Sequence, residues 1–160
     1  MNSLYQISLR NDSQESALVL RIFTKYAEWD RLADKFGMLS LSREVFREIL
    51  NATDANELVE AAGQLGSRTP KAGILFWFKK ANVETFLEGL QNLFRYGRTA
   101  ECEVKVDGTD HVVIIRHELG LKWSEFLKSY LDAGAKTVLG IQAQFDVTPS
   151  LLSMSFKAET

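Results

Sequence analysis

Residues 100–117 read Ala-Glu-Cys-Glu-Val-Lys-Val-Asp-Gly-Thr-Asp-His-Val-Val-Ile-Ile-Arg-His, and this stretch decides the fold class. Residues 100–106 alternate strictly, the two-residue period of a strand with one buried face. Asp107-Gly108-Thr109-Asp110 is a turn signal and 111–117 is a second, β-branched strand, so the whole predicts an antiparallel hairpin. With the turn at 107–110, Val106 faces His111, Val104 faces Val113, Cys102 faces Ile115 and Ala100 faces His117. Arg116 then lies opposite Glu101 on the other face, where a cross-strand ion pair is expected. Val112 and Ile114 share that face, and two aliphatics at its centre imply cover by helices or by a second subunit.

Downstream, Lys122 to Ala135 predicts a helix with Trp123, Phe126, Leu127, Tyr130 and Leu131 on one face. Residues 141–147 and 151–156 alternate again around Thr148-Pro149-Ser150, giving a second hairpin. The second half is therefore ββαββ, four mainly antiparallel strands with a helix on one face.

Upstream the pattern is helical. Ser40 or Ser42 caps a helix over Arg43–Asn51, and Asp54 caps the next, with Leu58, Val59, Ala62 and Leu65 inward. Pro70 suits the first turn of a segment over Lys71–Lys79, whose Ile74-Leu75-Phe76-Trp77-Phe78 run must be buried all round or lie at an interface. A further helix is expected over 83–95, with Phe86, Leu87, Leu90, Leu93 and Phe94 inward. Helices followed by strands argue an α+β fold.

At the start of the chain, Tyr5-Gln6-Ile7-Ser8-Leu9-Arg10 alternates like a strand, and Asn11-Asp12-Ser13 offers helix-capping oxygens. The longest helical pattern runs from about Gln14 to Phe36, with Gly37 placed as its C-terminal cap. Val19, Ile22, Tyr26, Trp29, Ala33 and Phe36 recur at heptad a and d spacing, the pattern of a long core helix or of a helix that also pairs with its own copy. Residues 1–37 are thus expected as a strand plus dimerisation helix, and 38–160 as the α+β domain.

The chain of 160 residues carries a net charge of −2, which is not the strong basic excess of a general nucleic-acid binder. Cys102 is the sole cysteine, excluding an intramolecular disulfide, and no secretory signal opens the sequence, so a cytoplasmic location is expected. No apolar run reaches the roughly 20 residues of a membrane span. Metal chemistry is not expected: His111 and His117 lie six residues apart on one strand, roughly 20 Å by strand rise, too far to share an ion. Cys102 with His117 as base is the nearest thing to a nucleophile pair, yet a cysteine on the inner face of a strand behaves as a small core hydrophobe. No catalytic residue and no cofactor is assigned.

Two binding sites are considered. His117-Glu-Leu-Gly-Leu-Lys-Trp-Ser leads from a strand through a glycine turn into a helix, and helix starts attract anions; His117, Lys122 and Trp123 are the candidate ligand residues. Gln6, Ser8 and Arg10 share one face of the N-terminal strand, and a paired ribbon carrying such side chains reads a DNA major groove.

The runs Tyr26-Ala-Glu-Trp-Asp-Arg-Leu-Ala-Asp-Lys-Phe-Gly-Met-Leu-Ser-Leu-Ser, Leu65-Gly-Ser-Arg-Thr-Pro-Lys, Leu75-Phe-Trp-Phe-Lys, Leu93-Phe-Arg-Tyr-Gly and His117-Glu-Leu-Gly-Leu-Lys-Trp-Ser-Glu-Phe-Leu resemble an archaeal family of uncharacterised regulator-like proteins. In that family a ribbon–helix–helix segment precedes an α+β domain; the resemblance covers roughly residues 17–156. It implies an obligate dimer with a paired strand in the DNA groove. This sequence departs from the pattern, with one helix where two are required, so the resemblance supports dimerisation through helix 14–36 better than DNA binding. The expectation is a non-enzymatic, dimeric regulatory protein, with DNA contacted through the N-terminal strand. The alternatives are a ligand-sensing or protein-interaction domain without DNA binding, and a small enzyme.

Overall fold

The structure, a computed structural model, describes the backbone of residues 3–159 and the side chains from residue 14 onward. The chain forms two compact units, residues 1–39 and 40–160.

In the C-terminal unit the first hairpin is β1 (Glu101–Asp107) and β2 (Asp110–Arg116), paired in the register expected from its turn, with Val106 facing His111, Val104 facing Val113 and Cys102 facing Ile115. β4 (Leu151–Lys157) pairs with the other edge of β2, and β3 (Gln144–Thr148) lies outside β4, so the antiparallel order is β1-β2-β4-β3. The fold is α+β. β3 is shorter than the alternation over 141–147 suggests, since pairing starts at Gln144. The expected Arg116–Glu101 ion pair is replaced by a diagonal one: Arg116 Nη1 lies 3.2 Å from Glu103 Oε2, although Glu101 is its direct register partner.

The helices end where their caps dictate. Ser42 Oγ accepts the Val45 N–H at the start of α3 (Arg43–Ala52), and Asp54 accepts from Asn56 and Glu57 at the start of α4 (Ala55–Gly66). Pro70 sits in the first turn of α5 (Thr69–Phe78). A reciprocal Asn82–Thr85 box opens α6 (Val83–Gly97). The inner face of the sheet, with Val113, Ile115, Leu152 and Met154 fully buried, packs with Phe86, Leu90 and Phe94 of α6 and with Leu127 and Leu131 of α7 (Leu121–Leu139). Each such side chain contributes about 1.5–3 kcal/mol through removal from water. On the outer face Val112 is set between Lys105 and Ser155, and Ile114 between Glu103 and Ser153; both aliphatics are half-buried. The apolar run of α5 is not buried all round: Ile74 is buried, Leu75 is exposed, and Phe76, Trp77 and Phe78 are half-buried.

The tightest helix crossing is α4 on α7. It depends on small residues: a Cβ at Gly66 would fall 2.2 Å from the Tyr130 carbonyl oxygen, and one at Gly63 would lie 3.1 Å from Ser129 Oγ. Ser129 Oγ donates to the Val59 carbonyl at 2.9 Å across the same seam, and Thr69 Oγ1 meets the Tyr130 hydroxyl at 3.1 Å.

The N-terminal unit corrects two expectations. Residues 5–10 are not a strand but part of α1 (Ser3–Lys25), one helix with the segment expected from Gln14. Asn11-Asp12-Ser13 lies within this helix rather than at its start. The second correction concerns the heptad seam. After α1 the chain makes a π-helical turn, Tyr26–Asp30, closed by the Arg31 N–H on the Tyr26 carbonyl, and continues as α2 (Arg31–Phe36) to Gly37 in the left-handed conformation. Lys25 Nζ and Asp30 Oδ1, 2.6 Å apart, bridge the turn at a spacing that suits five residues rather than four. One extra residue in a helix rotates everything beyond it by roughly 100°. Trp29, Ala33 and Phe36 therefore leave the line of Val19, Ile22 and Tyr26. Beyond the turn Ala33 is buried, Trp29 half-buried and Phe36 exposed, while Val19, Ile22 and Tyr26 before it are exposed.

The α4–α7 contact generates a paired prediction. Gly66→Ala forces a methyl group against backbone that cannot rotate away, and should cost about 3 kcal/mol. Gly97→Ala, at a helical position with nothing within 4 Å of the new Cβ, should leave stability unchanged or raise it, by up to about 1 kcal/mol. Urea unfolding midpoints of the two variants check both.

Candidate functional site

Where β2 ends, the chain must turn into α7, and Gly120 makes the turn with φ of +83°. His117 lies just before it and is buried. Its Nδ1 is 3.2 Å from the Leu119 backbone nitrogen, which has only a proton to give, so Nδ1 holds the lone pair. Its Nε2 is 2.9 Å from Ser124 Oγ, and Ser124 in turn donates its hydroxyl proton to the Thr148 carbonyl at 2.6 Å. Nε2 must then carry the ring proton. The imidazole is neutral, and burial holds its pKa below the ordinary histidine value.

A serine and a histidine at 2.9 Å resemble a nucleophile and its base. The protons run the wrong way for that chemistry: the histidine donates to the serine, the serine donates to a carbonyl, and Ser124 is fully buried. Both ring nitrogens are occupied, so His117 is a strut joining the end of β2, the first turns of α7 and the β3–β4 turn. Its backbone N–H reinforces the joint by donating to Ser150 O at 3.0 Å.

The other two candidate ligand residues are also engaged internally. Lys122 Nζ donates to the carbonyls of Leu50, Asn51 and Thr53 at 3.2, 3.0 and 2.7 Å, closing the C-terminal end of α3. Trp123 is buried, edge-on to Phe46 at 5.0 Å and stacked on Phe126 at 4.8 Å. His117, Lys122 and Trp123 thus sit close in sequence but present no unused polar group to a common ligand, apart from the buried Trp123 indole N–H, which has no hydrogen-bond partner among the described residues. Cys102 is half-buried, and burial pushes its thiol up to about 11, so it stays protonated near neutrality. His111, stacked on Phe156 at 5.0 Å, directs Nδ1 to the Thr109 carbonyl at 2.9 Å. Among the described residues no three His, Cys, Asp or Glu side chains converge on one point.

An open cleft of about 730 Å³ lies beside the strut. Its walls bring together Arg43 at the start of α3, Arg95 and Arg98 at the end of α6, Arg116 at the end of β2, and Glu101 and Glu118, with Phe94, Ala100 and Leu151 behind them. Arg43 Nη1 pairs with Glu118 Oε2 at 2.9 Å and Arg116 pairs with Glu103. Neither Arg95 nor Arg98 has an ion-pair partner among the described residues. Sequence reading missed this group. Arg95 and Arg98 flank the end of a predicted helix, where basic residues are common, and no periodicity announces that Arg43 and Arg116 meet them.

The N-terminal candidates are placed as follows. Gln6, Ser8 and Arg10 lie on α1, and their side chains are outside the described ones, so the ribbon geometry that would carry them into a groove has no strand to form it. Val19 and Ile22 share an exposed stripe of α1 with Leu18 and Phe23, and Tyr26 at the first position of the π turn extends it. No helix is long and apolar enough to cross a membrane among the described residues. No family model matches the chain, and no curated protein does.

The strut has a pH signature. The native ring stays neutral while the unfolded ring takes a proton near pH 6.5. Its contribution is complete above that value and is lost as pH falls through 6.5 towards the lowered native pKa, with a slope of up to about 1.4 kcal/mol per pH unit. Unfolding free energies between pH 7.5 and 5.5 should show this slope in the wild type and lack it in His117→Asn.

Proposed function

We propose that this protein is a non-enzymatic regulator that acts as a homodimer through α1 and belongs with the archaeal regulator-like proteins its sequence resembles. The observation that carries the reading is the apolar stripe of α1. Leu18, Val19, Ile22, Phe23 and Tyr26 occupy one side of the helix, and each is about half or more exposed, between 47% and 66%. A helix gains most of its stability by burying such a face. The stripe is complementary to itself. An antiparallel pair centred between Val19 and Ile22 sets Val19 against Ile22 and Leu18 against Phe23, and brings Glu15 of one chain to Lys25 and Tyr26 of the other. That is an isologous interface, in which one patch serves both subunits. The π turn marks where this interface stops, because Trp29 and Ala33 point elsewhere.

The non-enzymatic part is supported by the strut. His117 and Lys122, which the sequence offers for chemistry, and Ser124 beside them have their polar atoms committed to backbone carbonyls, a backbone N–H and each other. The DNA ribbon is not part of the proposal. The α+β unit is left as the regulatory or sensing part.

Light scattering on a sizing column at micromolar concentration should give twice the 18.1 kDa of one chain. Ile22→Asp and Phe23→Asp, which place a charge in the stripe, should return the single-chain mass with the circular dichroism of α3–α7 retained. A wild-type protein that elutes as a monomer overturns the proposal.

A further inference from the structure

The cleft beside His117 combines features that an ordinary solvated surface does not require. It carries Arg43, Arg95, Arg98 and Arg116 against Glu101 and Glu118, a local excess of four positive groups over two negative, within a chain whose net charge is −2. Glu118 is already matched by Arg43, and Arg116 by Glu103 outside the cleft wall. The two arginines without ion-pair partners among the described residues therefore face an open cleft whose walls carry an excess of positive charge.

Arg98 is also held at a cost. It caps α6 in the left-handed conformation, with φ of +54° and ψ of +25°, its N–H on the Phe94 carbonyl at 3.0 Å. Glycine is the usual residue for that position. Gly97 stands one residue earlier, inside the helix, so the strained position is filled by an arginine that lines the cleft. A non-glycine residue there costs on the order of 1–3 kcal/mol in backbone strain, a cost that Lys79 also carries as the cap of α5. Complementing the helix dipole does not need it, since Arg95 in the last turn already supplies a charge.

From these observations we propose that the cleft is a binding site for a small phosphorylated organic molecule, its phosphate held by Arg95 and Arg98. The guanidinium fork matches phosphate oxygens in pairs, which lysine does not. A volume of about 730 Å³ is far larger than a phosphate needs and falls in the range of small-molecule sites. Phe94, Ala100 and Leu151 give the organic part an apolar wall. The Arg43–Glu118 pair at the rim is solvent-exposed, so Arg43 is able to turn to the ligand at little cost. The site lies wholly within residues 40–160 and stands whether or not the protein dimerises.

Phenyl phosphate, which joins a phosphate to an apolar ring, is the probe. Isothermal titration at constant ionic strength should show it binding the wild type at least tenfold more tightly than inorganic phosphate, with affinity falling as salt rises. Arg98→Gly is the decisive variant, because it removes the charge while relieving the backbone. It should unfold no more easily than the wild type yet bind phenyl phosphate at least tenfold more weakly. Arg95→Ala should weaken binding to a similar degree, and Lys128→Ala, an exposed lysine of α7 outside the cleft, should leave it unchanged. Absence of phenyl phosphate binding to the wild type at millimolar concentration overturns the proposal. So does equal affinity in wild type and Arg98→Gly, which would place the anion elsewhere.

Discussion

The buried relay from the Leu119 N–H through His117 and Ser124 to the Thr148 carbonyl is the constraint on which the C-terminal unit depends. Three elements that are distant in sequence meet there: the end of the central strand β2, the first turns of α7 and the β3–β4 turn. Each link of the relay joins one donor to one acceptor, which fixes the imidazole tautomer. A low-dielectric interior strengthens such a relay and makes any gap in it costly. Two residues before Ser124, Lys122 closes the exposed carbonyls of α3, so one turn of α7 anchors the helical layer as well as the sheet. The same junction forms one side of the arginine cleft. Scaffold and binding surface thus share a wall, with the interior face satisfied and the outer face carrying unpaired charge.

Most of this architecture was legible in the sequence because it follows from local rules. The strict alternation over 100–106 and the Asp107-Gly108 turn set the hairpin register correctly, and with it the inward position of Cys102 and His111. Ser42, Asp54 and Pro70 marked helix starts through the same hydrogen-bonding and backbone preferences that place them in the structure. What failed was the reading of weak or non-local signals. Residues 5–10 alternate over only six positions, a pattern short enough to sit equally well on a helix that continues from a strongly periodic neighbour. The π turn at Tyr26–Asp30 has no sequence signature, and it converts one six-residue seam into two separate faces.

The functional residues show the same division. His117, Lys122 and Trp123 drew notice because polar residues next to a glycine turn at a helix start suggest anion binding. The fold uses Lys122 and the His117 backbone N–H on carbonyls left over at the end of α3 and at the β3–β4 turn, and buries Trp123 among aromatic rings. The cleft arginines were invisible for the opposite reason. Each is unremarkable in its own segment, and their meaning lies in a tertiary convergence that only strand order and helix placement create.

The claim underlying both the structural role of the junction and the non-enzymatic reading is that His117 is a neutral donor at Nε2. Long-range nitrogen–proton NMR of the histidine ring at pH 7 tests it most directly. A ring protonated at Nε2 alone, with that proton protected from exchange by Ser124, is the expected result. A charged ring, or a proton on Nδ1 with Nε2 bare towards the serine hydroxyl, would contradict it and would restore Ser124 as a group able to be activated.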